Sequence, residues 1–140
     1  EADAGDGASI RAVTGGVTVS VPLIGLRSAH GLIQACMTTR PGAFPDCDKD
    51  PTSLKLTMPV AAHGQTVLVF RHVLPGTYGI SLFHDENGNG RMDKMMGIPS
   101  EGYGFSHDAA VRFGPPRFSA AQFAVGAMDL SMPIKVRYIL

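Results

Sequence analysis

The sequence contains no tryptophan, only two cysteines and no surplus of either charge. Twelve Lys and Arg balance twelve Asp and Glu, and charged residues make up only 17% of the 140 positions. Zero net charge argues against a nucleic-acid partner, whose phosphates select a basic surplus, and against an acidic solvating tail. The absence of Trp removes the commonest aromatic platform for sugars. No apolar run approaches the roughly 18 residues of a membrane-spanning helix; the longest, such as Val67-Leu68-Val69-Phe70, have strand length. Neither a CxxC pair nor a Cys/His cluster is present, which disfavours dithiol redox catalysis and structural zinc. GxSxG, Walker-A and HExxH motifs are also missing.

What is present is turn-rich and periodic. Seventeen Gly and ten Pro punctuate segments that alternate apolar and polar residues. Val17, Val19, Val21 and Leu23 form one such set; Leu54, Leu56, Met58 and Val60 a second; Tyr78, Ile80 and Leu82 a third. Met128, Leu130, Met132, Ile134, Val136 and Tyr138 form the last. A period of two means one packed face and one wet face, as in antiparallel sheets. With Gly31–Thr38, Gln65–His72 and Ala121–Val125 as further candidates, the reading is an all-β, two-sheet antiparallel sandwich of about seven strands, transthyretin-like or immunoglobulin-like. Pro22, Pro59 and Pro133 fall inside these patterns, so their strands are expected at sheet edges or at bulges. Residues 1–9, EADAGDGAS, read as a flexible arm preceding one domain over 10–140.

Cys36 and Cys47 bracket a loop containing Pro and Gly. A disulfide closing it would stabilise the fold by about 3 kcal/mol in the chain-entropy model, and would imply an oxidising, secreted or periplasmic location. Two free thiols are the alternative. The first residue is Glu rather than Met, as expected of a processed precursor and equally of a trimmed chain.

The segment 85–117 interrupts the alternation with a loop too long to be unbraced. It opens DENGNGRMD, which places Asp85, Asn87, Asn89 and Asp93 at positions 1, 3, 5 and 9 of a calcium loop. Gly90 falls at the sharp turn, and the Arg91 carbonyl at position 7. Calcium is a hard ion that takes six to eight oxygens, which such alternation on a curled backbone supplies. Met96 stands where an EF-hand has its bidentate Glu; Glu101 or Asp108 would have to fold back as the missing ligand. With two formal charges, affinity is expected on the order of 10⁻⁴–10⁻³ M. The alternative is a metal-free turn, because Asn-Gly pairs also suit Asx hydrogen bonding and positive φ.

Within EGYGFS, Tyr103 and Phe105 are either exposed anchors for a partner or plugs that pin the loop. His84, beside Asp85, and His107, beside Asp108, would form a metal-dependent catalytic pair only if the loop brought them together.

The segment LPGTYGISLFHDENGNGRMDKMMGIPSEGYGFSHDA, followed by FGPPRFSAAQFAV, resembles a family of secreted bacterial proteins, domain of unknown function 2141. The resemblance rests on Pro75–Tyr78, His84–Gly90 with Asp93, Gly97–Pro99, Glu101–Ser106 and Gly114–Pro116 with Phe118. It implies an extracytoplasmic β-sandwich without an established activity. LPGTY at a strand start is similar to the transthyretin-like and carboxypeptidase-regulatory sandwiches, and DENGNGRMD resembles the calcium loops of B-type repeats in bacterial adhesins.

The function expected is a non-enzymatic binding or structural module, stabilised by Ca²⁺, in an envelope or extracellular assembly. It would act through a protein partner or by self-association at an edge strand, and would associate with the envelope at most peripherally. A small-ligand or carbohydrate module using the 85–117 loop is the alternative; the His84/Asp85/His107/Asp108 enzyme is the third reading.

Overall fold

The computed structural model describes residues 15–90, 94–95, 98–99, 101–112 and 114–139. The expected arm, residues 1–9, lies outside them. The chain forms two antiparallel-rich sheets facing one another. In the first, β1 (Val17–Ile24) is flanked on one side by β4 (Val67–Val73) and on the other by β10 (Leu130–Ser131) and β11 (Ile134–Lys135). In the second, the order is β3 (Leu54–Pro59), β2 (Leu32–Thr38), β5 (Gly76–Asp85), with β8 (Gly102–Phe105) and β9 (Phe123–Val125) sharing the far side of β5. A small hairpin joins β6 (Lys94–Met95) to β7 (Ile98–Pro99). Helical turns lie at α1 (Phe118–Ala121) and, as 3₁₀ turns, at Pro41–Ala43 and Ser106–Asp108.

The alternation in the sequence becomes the core. Val17, Val19, Val21 and Leu23 of β1 point inward and meet Leu68, Phe70 and Val73 of β4. Ile33, Ala35, Met37, Ile80 and Leu82 close the space from the second sheet. These side chains are buried because burial of a Val, Leu or Ile side chain yields roughly 1.5–3 kcal/mol, and a period of two delivers them all to one face.

Three features depart from the sequence reading. The closing segment pairs with β1 in parallel, Val19 opposite Leu130 and Leu23 opposite Ile134, rather than antiparallel. Pro22 lies in the middle strand of its sheet rather than at an edge. The Leu23 N–H points at β4, to the Thr66 carbonyl at 2.9 Å, so the nitrogen of Pro22 faces the opposite side. There Met132 donates to Ser20, and the next bond of a parallel ladder would need an N–H at position 22; Pro22 has none, and the ladder is interrupted at Met132-Pro133, between β10 and β11.

The third departure is EGYGFS, which is not a loop. It supplies β8, with Ser81 opposite Phe105 and His84 opposite Gly102. Gly102 and Gly104 are needed because the chain's last strand lies across them. A Cβ on Gly102 would sit 2.7 Å from Val136 Cγ1 and against the Tyr138 ring, and one on Gly104 would sit 2.6 Å from Ile134 Cγ2. Beyond β11 the chain crosses to the second sheet, where Arg137 and Tyr103 exchange backbone bonds of 2.9 and 3.0 Å.

A disulfide joins Cys36 and Cys47, with Cα atoms 6.4 Å apart. It holds the 39–53 segment over the outer face of the second sheet. Phe44 lies 5.9 Å from the rings of both Phe105 and Phe118, over Gly79, where a Cβ would meet Phe44 and Phe118 at 3.1 Å. This aromatic cluster is a second, smaller core outside the sandwich.

Candidate functional site

Strand β5 delivers the candidate loop. Its last residue, Asp85, is fully buried on the outer face of the sheet. A buried carboxylate must be heavily hydrogen-bonded, and this one is: Oδ1 accepts the Asn89 N–H at 3.1 Å, while Oδ2 accepts the Gly90 N–H at 2.8 Å and the Gln34 amide at 3.3 Å. Gln34 is held by Thr57, whose hydroxyl donates to Oε1 at 2.6 Å. The Asn89 N–H also reaches Asn87 Oδ1 at 3.1 Å, and the Gly88 N–H donates to the Asp85 carbonyl at 3.2 Å. Gly88 and Gly90 adopt φ of 69° and 80°, where a side chain would be strained. The oxygens of positions 1 and 3 are thus gathered around one amide hydrogen.

Glu101, at the head of β8, folds back onto the same loop. It is buried, and Oε2 accepts the Glu86 N–H at 3.0 Å. Arg91 and Asp93 lie outside the described residues. Among the described residues, no three His, Cys, Asp or Glu side chains are gathered as a metal site. The fit to calcium therefore depends on the Asn87 and Asn89 oxygens and on positions 91 and 93. Asp108 is elsewhere: it is exposed, beyond the opposite end of β8 from Glu101, and Oδ1 accepts the Lys135 N–H at 2.8 Å.

Beside the loop lies a network that sequence reading did not find. The His84 Nε2–H donates to the His30 carbonyl at 2.7 Å, since a carbonyl oxygen only accepts. In the neutral ring Nδ1 then accepts the Tyr138 hydroxyl at 2.8 Å. Burial raises the Tyr138 pKa, which keeps that phenol a donor. The Arg27 guanidinium stacks 4.4 Å from the centre of the Tyr138 ring and binds Glu86 Oε1 at 2.6 Å. The Ser28 hydroxyl caps Glu86 Oε2 at 2.8 Å. The hydrogen bond from Arg27, with that of Ser28, holds the Glu86 carboxyl below its ordinary pKa. Nothing in the spacing of Arg27, Glu86 and Tyr138 signals this cluster; Gly102 beside Tyr103 is the one local hint of a close approach.

The two histidines do not meet. His84 stands opposite Gly102, whereas His107 follows Phe105, whose partner is Ser81, and its ring faces Phe123 at 6.5 Å. Tyr103 and Phe105 are not exposed anchors: they retain 7% and 6% of their accessibility, and the Phe105 ring lies between those of Tyr103 and Phe44, at 6.0 and 5.9 Å.

A further carboxylate, Asp50, is 2% exposed and organises the disulfide-closed segment. It accepts the Thr38 hydroxyl at 2.6 Å and, from Thr52, the hydroxyl at 2.6 Å and the N–H at 2.9 Å. The Thr38 bond, then those of Thr52, lower its pKa. Asp50 and Glu86 are thus both depressed on folding, and their stabilisation is present above the ordinary carboxylate pKa near 4 and lost as pH falls through the folded values. Acid titration of the unfolding midpoint is expected to show a plateau above about pH 5 and a decline below it, with a shallower decline in Asp50→Asn.

A disulfide-stapled, two-sheet β-sandwich carrying a carboxylate-braced Asx loop defines the class. The chain belongs to the family described as uncharacterized protein conserved in bacteria (DUF2141), whose model matches residues 21–132, from within β1 to just past β10. No curated protein and no solved structure matches it. No helix among the described residues is long and apolar enough to cross a membrane.

Proposed function

We propose that this protein is a non-enzymatic, secreted or periplasmic module that contributes a rigid surface to an envelope or extracellular assembly, and that calcium stabilises its DENGNG loop. The supporting observation is how the polar groups at the loop end are used. Asp85 holds loop amides, Glu101 holds the Glu86 N–H, and both nitrogens of His84 serve Tyr138 and His30. Ser106, the buried hydroxyl of β8's far end, donates to the Ala121 carbonyl at 2.5 Å and accepts the Ile80 N–H at 2.9 Å. Groups that would serve as base or nucleophile in an enzyme are committed here to bracing the chain.

Calcium fits this arrangement through Asp85 Oδ1 and Asn87 Oδ1, which already converge on one amide. The expected result is a calcium-specific rise in the unfolding midpoint, read by circular dichroism in EDTA, in 5 mM calcium and in 5 mM magnesium. With Kd on the order of 10⁻⁴–10⁻³ M, linkage gives about 1–2 kcal/mol, or roughly 3–8 °C for a domain of this size. Asp85→Asn and Asp93→Asn should remove the calcium increment. Equal midpoints in EDTA and calcium would reduce the loop to a hydrogen-bonded turn.

A further inference from the structure

The second sheet ends at β3, and nothing described pairs with the outer edge of that strand. Its backbone phase is fixed. Val60 donates its N–H to Gly31 at 3.3 Å, and the register continues Ile33–Met58, Ala35–Leu56 and Met37–Leu54. In an antiparallel ladder, hydrogen-bonded pairs alternate with non-hydrogen-bonded ones, so Leu54, Leu56 and Met58 face β2 with their N–H and C=O groups. Lys55, Thr57 and Pro59 turn theirs outward. Pro59, which has no N–H, therefore sits where an edge strand tolerates it.

The side chains carry a second signal. Leu54, Leu56 and Met58 pack against the core but stay only half buried, while Lys55, Thr57 and Pro59 are exposed. The outer edge of β4 is disrupted by a register shift and by His72 at φ 58°. The β10/β11 edge is two short pieces divided at Pro133. Bulges, brevity, proline and charge, lysine above all, are how natural sheets close their edges to pairing. The middle of β3 has no bulge or proline, and its one charge, Lys55, is paired with Asp48 at 3.6 Å.

We propose that β3 pairs antiparallel with β3 of a second copy of this chain, about a two-fold axis at Leu56. That register places Lys55 opposite Thr57 of the second copy, so the outward N–H and C=O of both residues in both copies form four backbone bonds with no donor left over. An axis at Thr57 would instead set Lys55 opposite Pro59 and lose a donor at each end. With the axis at Leu56, Leu56 meets its own equivalent and Leu54 meets Met58, completing the burial that each chain leaves half finished. No like charges face one another, since Lys55 stands against Thr57. An isologous contact of this kind closes on itself and stops at two chains. The proposal deepens the assembly role above by naming the partner; its test is run in EDTA, so it stands or falls apart from calcium.

Sedimentation equilibrium of the full chain is expected to give twice the 14.8 kDa chain mass at high concentration, with concentration-dependent dissociation. Lys55→Pro removes one outward donor without touching the β2–β3 ladder and should leave a monomer with unchanged circular dichroism. Lys55→Ala, which keeps the donor, should still dimerise. Leu56→Cys places two sulfurs on the axis, where the non-hydrogen-bonded pair has Cα atoms about 4.5 Å apart, and mild oxidation should give a covalent dimer on a non-reducing gel. A chain that stays monomeric at millimolar concentration, or a dimer that Lys55→Pro leaves intact, overturns the proposal.

Discussion

Gly31→Ala is expected to destabilise the fold by on the order of 4 kcal/mol, lowering the unfolding midpoint by roughly 10–15 °C. Gly31 has φ +76°, which alone penalises a side chain by about 1–2 kcal/mol. The larger part comes from what lies beside it. A Cβ there would fall on the Asp85 carbonyl and come within 2.6 Å of the Glu86 carbonyl, and neither backbone oxygen can swing aside as a flexible side chain would. Relief requires β2 and the end of β5 to part, at the residue whose carboxylate holds the loop amides. The internal control is Gly64→Ala. Gly64 has a similar φ of +74° but nothing within 4 Å of its added Cβ, so only the conformational penalty applies. Chemical denaturation of the two variants separates close approach from φ; equal losses would mean that the Gly31–Asp85 contact matters little.

The second large effect concerns the staple. Replacing Cys36 and Cys47 together by Ser is expected to remove roughly 3 kcal/mol, the chain-entropy value for a sequence separation of 11. The loss should be local in its first consequence. Phe44 rides on the closed segment and covers Gly79 between Phe105 and Phe118, whereas the main core is built from other residues. Asp50 remains as a second attachment, through Thr38 of β2. Limited proteolysis should therefore cut first between residues 39 and 53 while the sandwich stays folded at moderate temperature. Combining the Cys variants with Asp50→Asn should cost more than the sum of the separate changes, because each alone leaves the other attachment to seat Phe44. Strict additivity in denaturation midpoints would show that the two latches do not share that task.

How far the sequence carried this description differs by element. Alternation in Val17–Leu23, Leu54–Val60 and Tyr78–Leu82 located three strands and their inward faces, because a period of two has one structural meaning when one face is buried. The Cys36–Cys47 pairing and the turn at Asp85–Gly90 were equally readable, since short-range chemistry determines both. EGYGFS was misread for a physical reason: Gly102 and Gly104 look like turn residues. They are in fact strand residues stripped of side chains so that Val136 and Tyr138 can lie against Gly102 and Ile134 against Gly104, thirty or more positions away. The same distance hid the His84–Tyr138 bond, 54 residues apart. Asp50, a few positions past Cys47, gives no local sign that it is buried. Tyr103 and Phe105 lie in that same strand, β8, and Phe105 packs against Phe44, which arrives from the disulfide-closed segment. Long-range juxtaposition, not local preference, separates what was readable from what was not.

The claim that Asp85 pre-orders the DENGNG loop is tested most directly by amide hydrogen exchange at Asn89 and Gly90, measured by NMR in EDTA and again in calcium. Both N–H groups donate to the Asp85 carboxylate, so both should be protected in EDTA, more strongly in calcium, and unprotected in Asp85→Ala under either condition. Exchange at the unprotected rate in EDTA, with no change on adding calcium, would contradict it.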